Sequence, residues 1–251
     1  MITRDLERLE GVADTLGAAI REARAGRRVK LPVIQPADAA GLVVIMHEQL
    51  DAAIAQRTDE AAREGLTIAC APGCAACCAA PVVVSEAEAV AVAEWLADRP
   101  ELRDQLARSY PAWRARAGAL ATRLEAVRDP TAHEALVREL REHHVMCAFN
   151  REGLCSIYEV RPARCRKVHA LDTNEKCQPT SDGRVRYFEH APTEATFDEQ
   201  EPMRGALHQA LRPNANLVVL VAAVYRLVFA RTPRNGPCPC GSTKKHKHCC
   251  A

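Results

Sequence analysis

Twelve cysteines stand in this chain of 251 residues, and they fall into three groups. Cys70, Cys74, Cys77 and Cys78 are spaced Cys-x3-Cys-x2-Cys-Cys. Cys147, Cys155, Cys165 and Cys177 lie in CAFNREGLCSIYEVRPARCRKVHALDTNEKC, with 68 residues between Cys78 and Cys147. Cys238, Cys240, Cys249 and Cys250 form Cys-x-Cys-x8-Cys-Cys near the C-terminus. The thiolate is the form of cysteine that binds metal, and close thiols with basic neighbours favour it. Around Cys165 those neighbours are Arg161, Arg164, Arg166 and Lys167.

The last group poses the sharper question. CPCGSTKKHKHCC has almost nothing apolar to bury, so a hydrophobic core cannot order it. Four thiols in a short polar segment fit tetrahedral zinc, which can supply the folding energy a small module lacks. Gly241 permits a tight turn after the first pair, and Lys244, Lys245 and Lys247 offset the negative charge of a four-thiolate zinc centre. Either Cys250 or His248 completes the ligand set.

Elsewhere the composition is that of a globular protein, 48% hydrophobic and 26% charged. A net charge of +2 is too small for wholesale nucleic-acid binding. From Arg231 onward, however, there are five Lys or Arg and no acidic side chain, so the tail is locally basic. The N-terminus, MITRDLERLEGVADTLG, lacks an apolar secretory core, and the most apolar stretch, LVVLVAAVYRLVFA (Leu217–Ala230), is too short to span a bilayer. A cytoplasmic protein is expected, in which cysteines serve as metal ligands or catalytic thiols rather than disulfides.

The elements that must position these thiols read as helices. Leu6, Leu9, Ala13, Leu16 and Ile20 line one face of a first helix, closed by Gly26 and Pro32. A second starts near Pro36, with Leu42, Val43, Met46, Leu50 and Ile54 facing a core, and ends at Gly65. Val82–Val84 reads as a short strand, and Ser85 with Glu88 as a capping box for SEAEAVAVAEWLAD. Helical sequence continues from Glu101, interrupted at Pro111, to about Arg128. Thr131 with Glu134 repeats the capping signature for a helix ending near His143 and His144. RVRYFEH (184–190) reads as a strand, and the last helical region spans about Met203–Arg231 with a break at Pro213. The expected fold is therefore mostly α, a helical body around a loop-rich eight-cysteine centre. Its parts are an N-terminal helical region (1–64), a cysteine-cluster domain with a helical insert (65–195), C-terminal helices (196–231) and a zinc module (232–251).

Two resemblances attach to these residues. RNGPCPCGSTKKHKHCC resembles the SEC-C motif, the zinc module at the C-terminus of the translocase motor SecA and of many unrelated bacterial proteins. His246 stands where tyrosine is usual and Thr243 where glycine is common. This likeness implies zinc and a docking role towards a protein partner or the ribosome. The eight remaining cysteines resemble the YkgJ-type cysteine-cluster family, also called CxxCxxCC, a zinc- or iron-chelating domain. CAF, CSIYEVRPARCR and Cys177 match its second half over roughly residues 66–180. The first pair departs from it, with Ala71, Pro72 and Gly73 between Cys70 and Cys74 in place of two residues. Eight sulfurs permit two Zn(Cys)4 sites, or one iron–sulfur cluster with four spare thiols.

The reading that follows is a metal-binding protein, with zinc in the tail and zinc or an iron–sulfur cluster in the centre. The alternative is an iron–sulfur or thiol-dependent enzyme, a redox protein or a transferase resembling the flagellin lysine methylases. His169, Asp172 and Glu175 are its acid–base candidates. No GxGxxG cofactor loop or HExxH signature occurs. The tail has no aromatic side chain on which a base could stack, so any contact with nucleic acid would be electrostatic only.

Overall fold

The computed structural model describes residues 6–80, 82–177 and 191–250. It is mostly helical. The first helix, α1 (Leu6–Arg24), buries Leu9, Ala13, Leu16 and Ile20, the expected face. A single 3-10 turn (Pro36–Asp38) leads into α2 (Ala39–Arg63), which buries Leu42, Val43, Met46 and Leu50 and stops short of Gly65. Gly65 has φ +73°, a left-handed conformation suited to glycine at a helix end.

After the first cysteine loop comes strand β1 (Val83–Val84), then α3 (Glu86–Ala97). Both halves of the capping box are present: Glu88 N–H donates to Ser85 Oγ, and Ser85 N–H donates to Glu88 Oε2 at 2.9 Å. Helix α4 (Pro100–Ala126) carries Pro111 inside it as one continuous element, which corrects the expected interruption. Helix α5 (Pro130–Glu142) is capped by Asp129, whose side chain accepts from Ala132 N–H at 2.8 Å. Thr131 therefore lies inside the helix and the cap falls two residues earlier than expected, because Pro130 suits the first helical position.

The second cysteine block contains a hairpin of β2 (Asn150–Arg151) and β3 (Leu154–Cys155), then the short helix α6 (Ala163–Lys167). The strand expected over 184–190 lies outside the described residues. Helix α7 (Ala191–Leu211) is followed by β4 (Val218–Val219) and α8 (Leu220–Val228). The apolar run from Leu217 is thus not all helix. Its first valines pair with β1, Val83 against Val219 and Val84 against Val218.

Two apolar cores share α3. Leu9, Leu16, Leu42 and Met46 pack with Met203, Leu207 and the Ala87 and Ala91 face of α3. Val92 and Leu96 on the other side of α3 join Tyr110, Trp113, Val224 and Tyr225 of α4 and α8. A helix buried on two faces can be apolar nearly all round, which is how SEAEAVAVAEWLAD reads. Glu88 is the exception: it is fully buried between the two cores.

Candidate metal centres

The tail closes on itself through backbone bonds. Cys238 N–H donates to Lys244 O at 3.2 Å, His246 N–H to Gly236 O at 2.9 Å, and Gly241 turns the chain with φ +81°. Cys249 and Cys250 N–H both reach His246 O. The result brings Cys238, Cys240, Cys249 and Cys250 together with all four sulfurs within 4.8 Å of one another. Cys240 and Cys249 sulfurs are 3.5 Å apart, and those of Cys249 and Cys250 3.6 Å. A tetrahedron of Zn–S bonds near 2.3 Å has sulfurs roughly 3.8 Å apart, so this donor set fits zinc. Cys250 is the fourth member; His248 is exposed. Burial would raise Cys240, but the Ser242 hydroxyl and N–H and the neighbouring thiols outweigh it and bring its pKa to about 6. Burial raises Cys238 and Cys250, so the quartet shares protons that a cation would displace.

The central thiols are gathered by long-range backbone pairing. Ile68 bridges Leu171, Ala69 N–H donates to Ala170 O at 2.9 Å, and Asp172 N–H donates to Thr67 O at 2.7 Å. Cys147 N–H donates to Cys78 O at 2.8 Å, which joins the two blocks directly. Gly73 and Gly153 meet so closely that a Cβ on Gly153 would lie 2.9 Å from Gly73 O. The two-residue turn between β2 and β3 has positive φ at both Glu152 and Gly153, the requirement of a type I′ hairpin.

Within this region most of the thiols fall into two neighbour sets, and Cys77 lies between them. Cys165 feels the charges of Cys147, Cys155 and Cys78, and Cys147 those of Cys78 and Cys155. Cys177 feels Cys70 and Cys74, while Cys77 lies beside Cys78, Cys165 and Cys70. Burial raises Cys147 to about 12 and raises Cys165 and Cys155 as well. A hydrogen bond from the Cys77 thiol, helped by Asn150, lowers Cys78 to about 6. The first loop is also held through sulfur, since Ala170 N–H donates to Cys70 Sγ at 3.2 Å and Asn174 Nδ2 to Cys74 Sγ at 3.5 Å. Among the described residues, the tail quartet is the group that closes to mutual metal-ligand spacing. The central eight share one region without closing to it.

The basic residues around Cys165 divide in role. Arg166 is buried and turned away from sulfur: it donates to the carbonyls of Arg161 and Glu159 and to Asp51 of α2. Arg161 stacks over the Tyr158 ring at 3.7 Å, and its charge lowers Cys155 against the effect of burial. Of the acid–base candidates, Asp172 and Glu175 are exposed, and burial pushes His169 down towards the neutral imidazole.

Glu88 is what a reading of the chain alone leaves out. Beyond its capping role, Glu88 Oε1 accepts from Ala163 N–H at 3.0 Å, at the start of the helix that carries Cys165. Glu88 Oε2 accepts from Arg204 Nη2 at 3.0 Å. His47 Nε2 stands 3.8 Å from Oε1, and burial lowers its pKa, so Arg204 is the counter-charge. Although burial alone would raise Glu88, His47 and Arg204 hold it below the usual carboxylate range. A glutamate in an apolar helix, three residues after a serine, announces a cap; nothing local announces Ala163 and Arg204.

Comparison with known proteins covers these same residues. Residues 69–182 match the CxxCxxCC family, described as a zinc- or iron-chelating domain, and residues 234–251 match the SEC-C motif. The protein translocase subunit SecA of Helicobacter acinonychis (strain Sheeba) is 37% identical over 90 residues, and that of Helicobacter pylori (strain J99) 36%. Each match covers 34% of this chain and 9% of the SecA protein, and the likeness is carried by the SEC-C region. No solved structure matches. All eight central cysteines fall in the first matched segment and the tail quartet in the second, so the chain carries a CxxCxxCC metal-chelating domain followed by a SEC-C motif.

Proposed function

We propose that this is a cytoplasmic zinc protein with three four-thiolate sites, whose basic tail docks a protein partner or the ribosome. Cys238, Cys240, Cys249 and Cys250 form one site. The eight central thiols, Cys70, Cys74, Cys77, Cys78, Cys147, Cys155, Cys165 and Cys177, supply the other two. The observation that carries this reading is the tail quartet, whose four sulfurs lie within 4.8 Å of one another, beside eight further thiols that backbone pairing gathers into one region. Zinc needs no electron partner, and when bound it would hold as thiolates groups that burial keeps protonated. Arg231, Arg234, Lys244, Lys245 and Lys247 are exposed around the tail site, and they offer the docking face.

The test is metal content and visible absorption after anaerobic purification from cells supplied with iron and zinc. About three zinc per chain without visible absorption supports the proposal. Iron with acid-labile sulfide, beside one zinc, sinks it in favour of an iron–sulfur enzyme. That second reading is favoured by one observation: burial raises Cys147, Cys155 and Cys165 together, a shielded set suited to a cluster. For the docking face, a partner retained on the wild-type protein and lost on triple Lys→Ala substitution at 244, 245 and 247 is expected. Retention by RNA that vanishes in moderate salt counts against a specific protein partner.

A further inference from the structure

The tail site is not closed by the tail alone. Cys238 and Cys250 belong to the same apolar core as Tyr110, Trp113 and Tyr225 of the body. Tyr225, on α8, is 2% exposed and stacked on Tyr110 with ring centroids 3.7 Å apart. Phe229 packs on it at 4.7 Å, and the tail's own His246 at 6.3 Å. Its hydroxyl is fully buried and makes no hydrogen bond, to oxygen, nitrogen or sulfur, among the described residues. The Cys250 and Cys238 sulfurs are buried in the same cluster as this phenol. From α4, Arg114 donates to the Cys249 carbonyl.

We infer that Tyr225 is a positioning residue of the C-terminal metal site, its phenol donating a hydrogen bond from the helical body to the Cys250 and Cys238 sulfurs. A phenol buried without an oxygen or nitrogen acceptor is costly, and a metal-bound thiolate retains lone pairs that accept a hydrogen bond. Groups of this kind orient the ligands they touch, and their loss typically weakens metal binding about tenfold to a hundredfold. The consequence is that the tail is anchored to the body at its metal site, with its lysines on the outward side.

The inference rests on the tail quartet binding metal, and the experiment separates the two. In the full-length protein loaded with cobalt(II), the difference spectrum between wild type and Cys238→Ser isolates the tail site. Absence of that difference would overturn the metal reading of the tail and this inference with it. Tyr225→Phe keeps the ring and removes only the hydroxyl. The expected result is a shifted thiolate-to-cobalt band and about tenfold or more weaker binding at the tail, with the melting of chelator-stripped protein unchanged. An unchanged band and affinity, or an equal loss of stability in stripped protein, would show a packing role only. The wild type supplies a check that does not depend on the variant folding. In cadmium-loaded protein the Tyr225 hydroxyl proton is expected to exchange slowly with solvent and couple to cadmium; rapid exchange without coupling overturns the inference.

Discussion

The tail quartet and the central eight solve the same chemical problem with different means. Thirteen residues from Cys238 to Cys250 contain the whole tail set, and a hairpin with one glycine turn brings four sulfurs within 4.8 Å. The central set draws on two blocks separated by 68 residues, joined by backbone bonds at Ala69, Cys78 and Asp172 and by the contact of Gly73 with Gly153. Local closure costs little chain entropy, whereas long-range closure must be supported by everything packed around it. The lesson is that the tail depends on few residues outside itself, and the centre depends on groups that are not ligands at all.

The largest expected effect breaks the central side. Glu88→Ala removes the buried carboxylate that faces Arg204 and frees the N–H groups of Ser85 and Ala163. Losing one partner of a buried pair costs about 3–5 kcal/mol. Denaturant unfolding should show that loss, with metal leaving the central sites before the tail. Equal loss from both would erase the distinction between them. Next comes Gly153→Ala, which places a side chain at φ +87° and against Gly73 O. Such strain costs roughly 1–3 kcal/mol, and central metal occupancy should fall while the tail signal of Cys238, Cys240, Cys249 and Cys250 persists.

A pH titration sharpens the comparison further. His47 and Glu88 both have depressed pKa values in the folded protein. Their contributions are present above the ordinary values, 6.5 and 4.5, and are lost as pH falls through the folded ones. The melting temperature should therefore decline below about pH 6.5 and again below about 4.5, each proton contributing up to roughly 1.4 kcal/mol per pH unit. With metal content followed in the same samples, His47→Gln should flatten the first decline; an unchanged profile would remove His47 from the account. The smallest effect is at the insert that joins the two cysteine blocks. Asp129→Ala should cost about 1 kcal/mol by loss of the cap, and Thr131→Ala much less, as read by thermal melting. The reverse order would return the cap to Thr131.

The face of α1, the start of α2, the strand at Val83–Val84 and the Ser85–Glu88 box were all legible in the chain, because each depends on spacing within a few residues. So were the two cysteine motifs. The continuous α4 was not, since tertiary burial of Tyr110 and Trp113 keeps a proline inside a helix that local rules would interrupt. Nor was the split of LVVLVAAVYRLVFA, where Val218 and Val219 extend because β1 offers them a partner. Arg166 beside Cys165 read as a sulfur neighbour, yet the carbonyls of Arg161 and Glu159 and the carboxylate of Asp51 claim it.

By itself the sequence determined the thiols and their grouping, the compact tail and the helical character of the body, because residue type and short-range periodicity are written in neighbouring residues. Only the tertiary structure decided which central thiols are neighbours, that Glu88 supports the helix of Cys165, and that Tyr225 is buried in one core with Cys238 and Cys250. Glu88 and Ala163 are 75 positions apart in the chain, and such relations exist only once two buried cores are packed on opposite faces of α3.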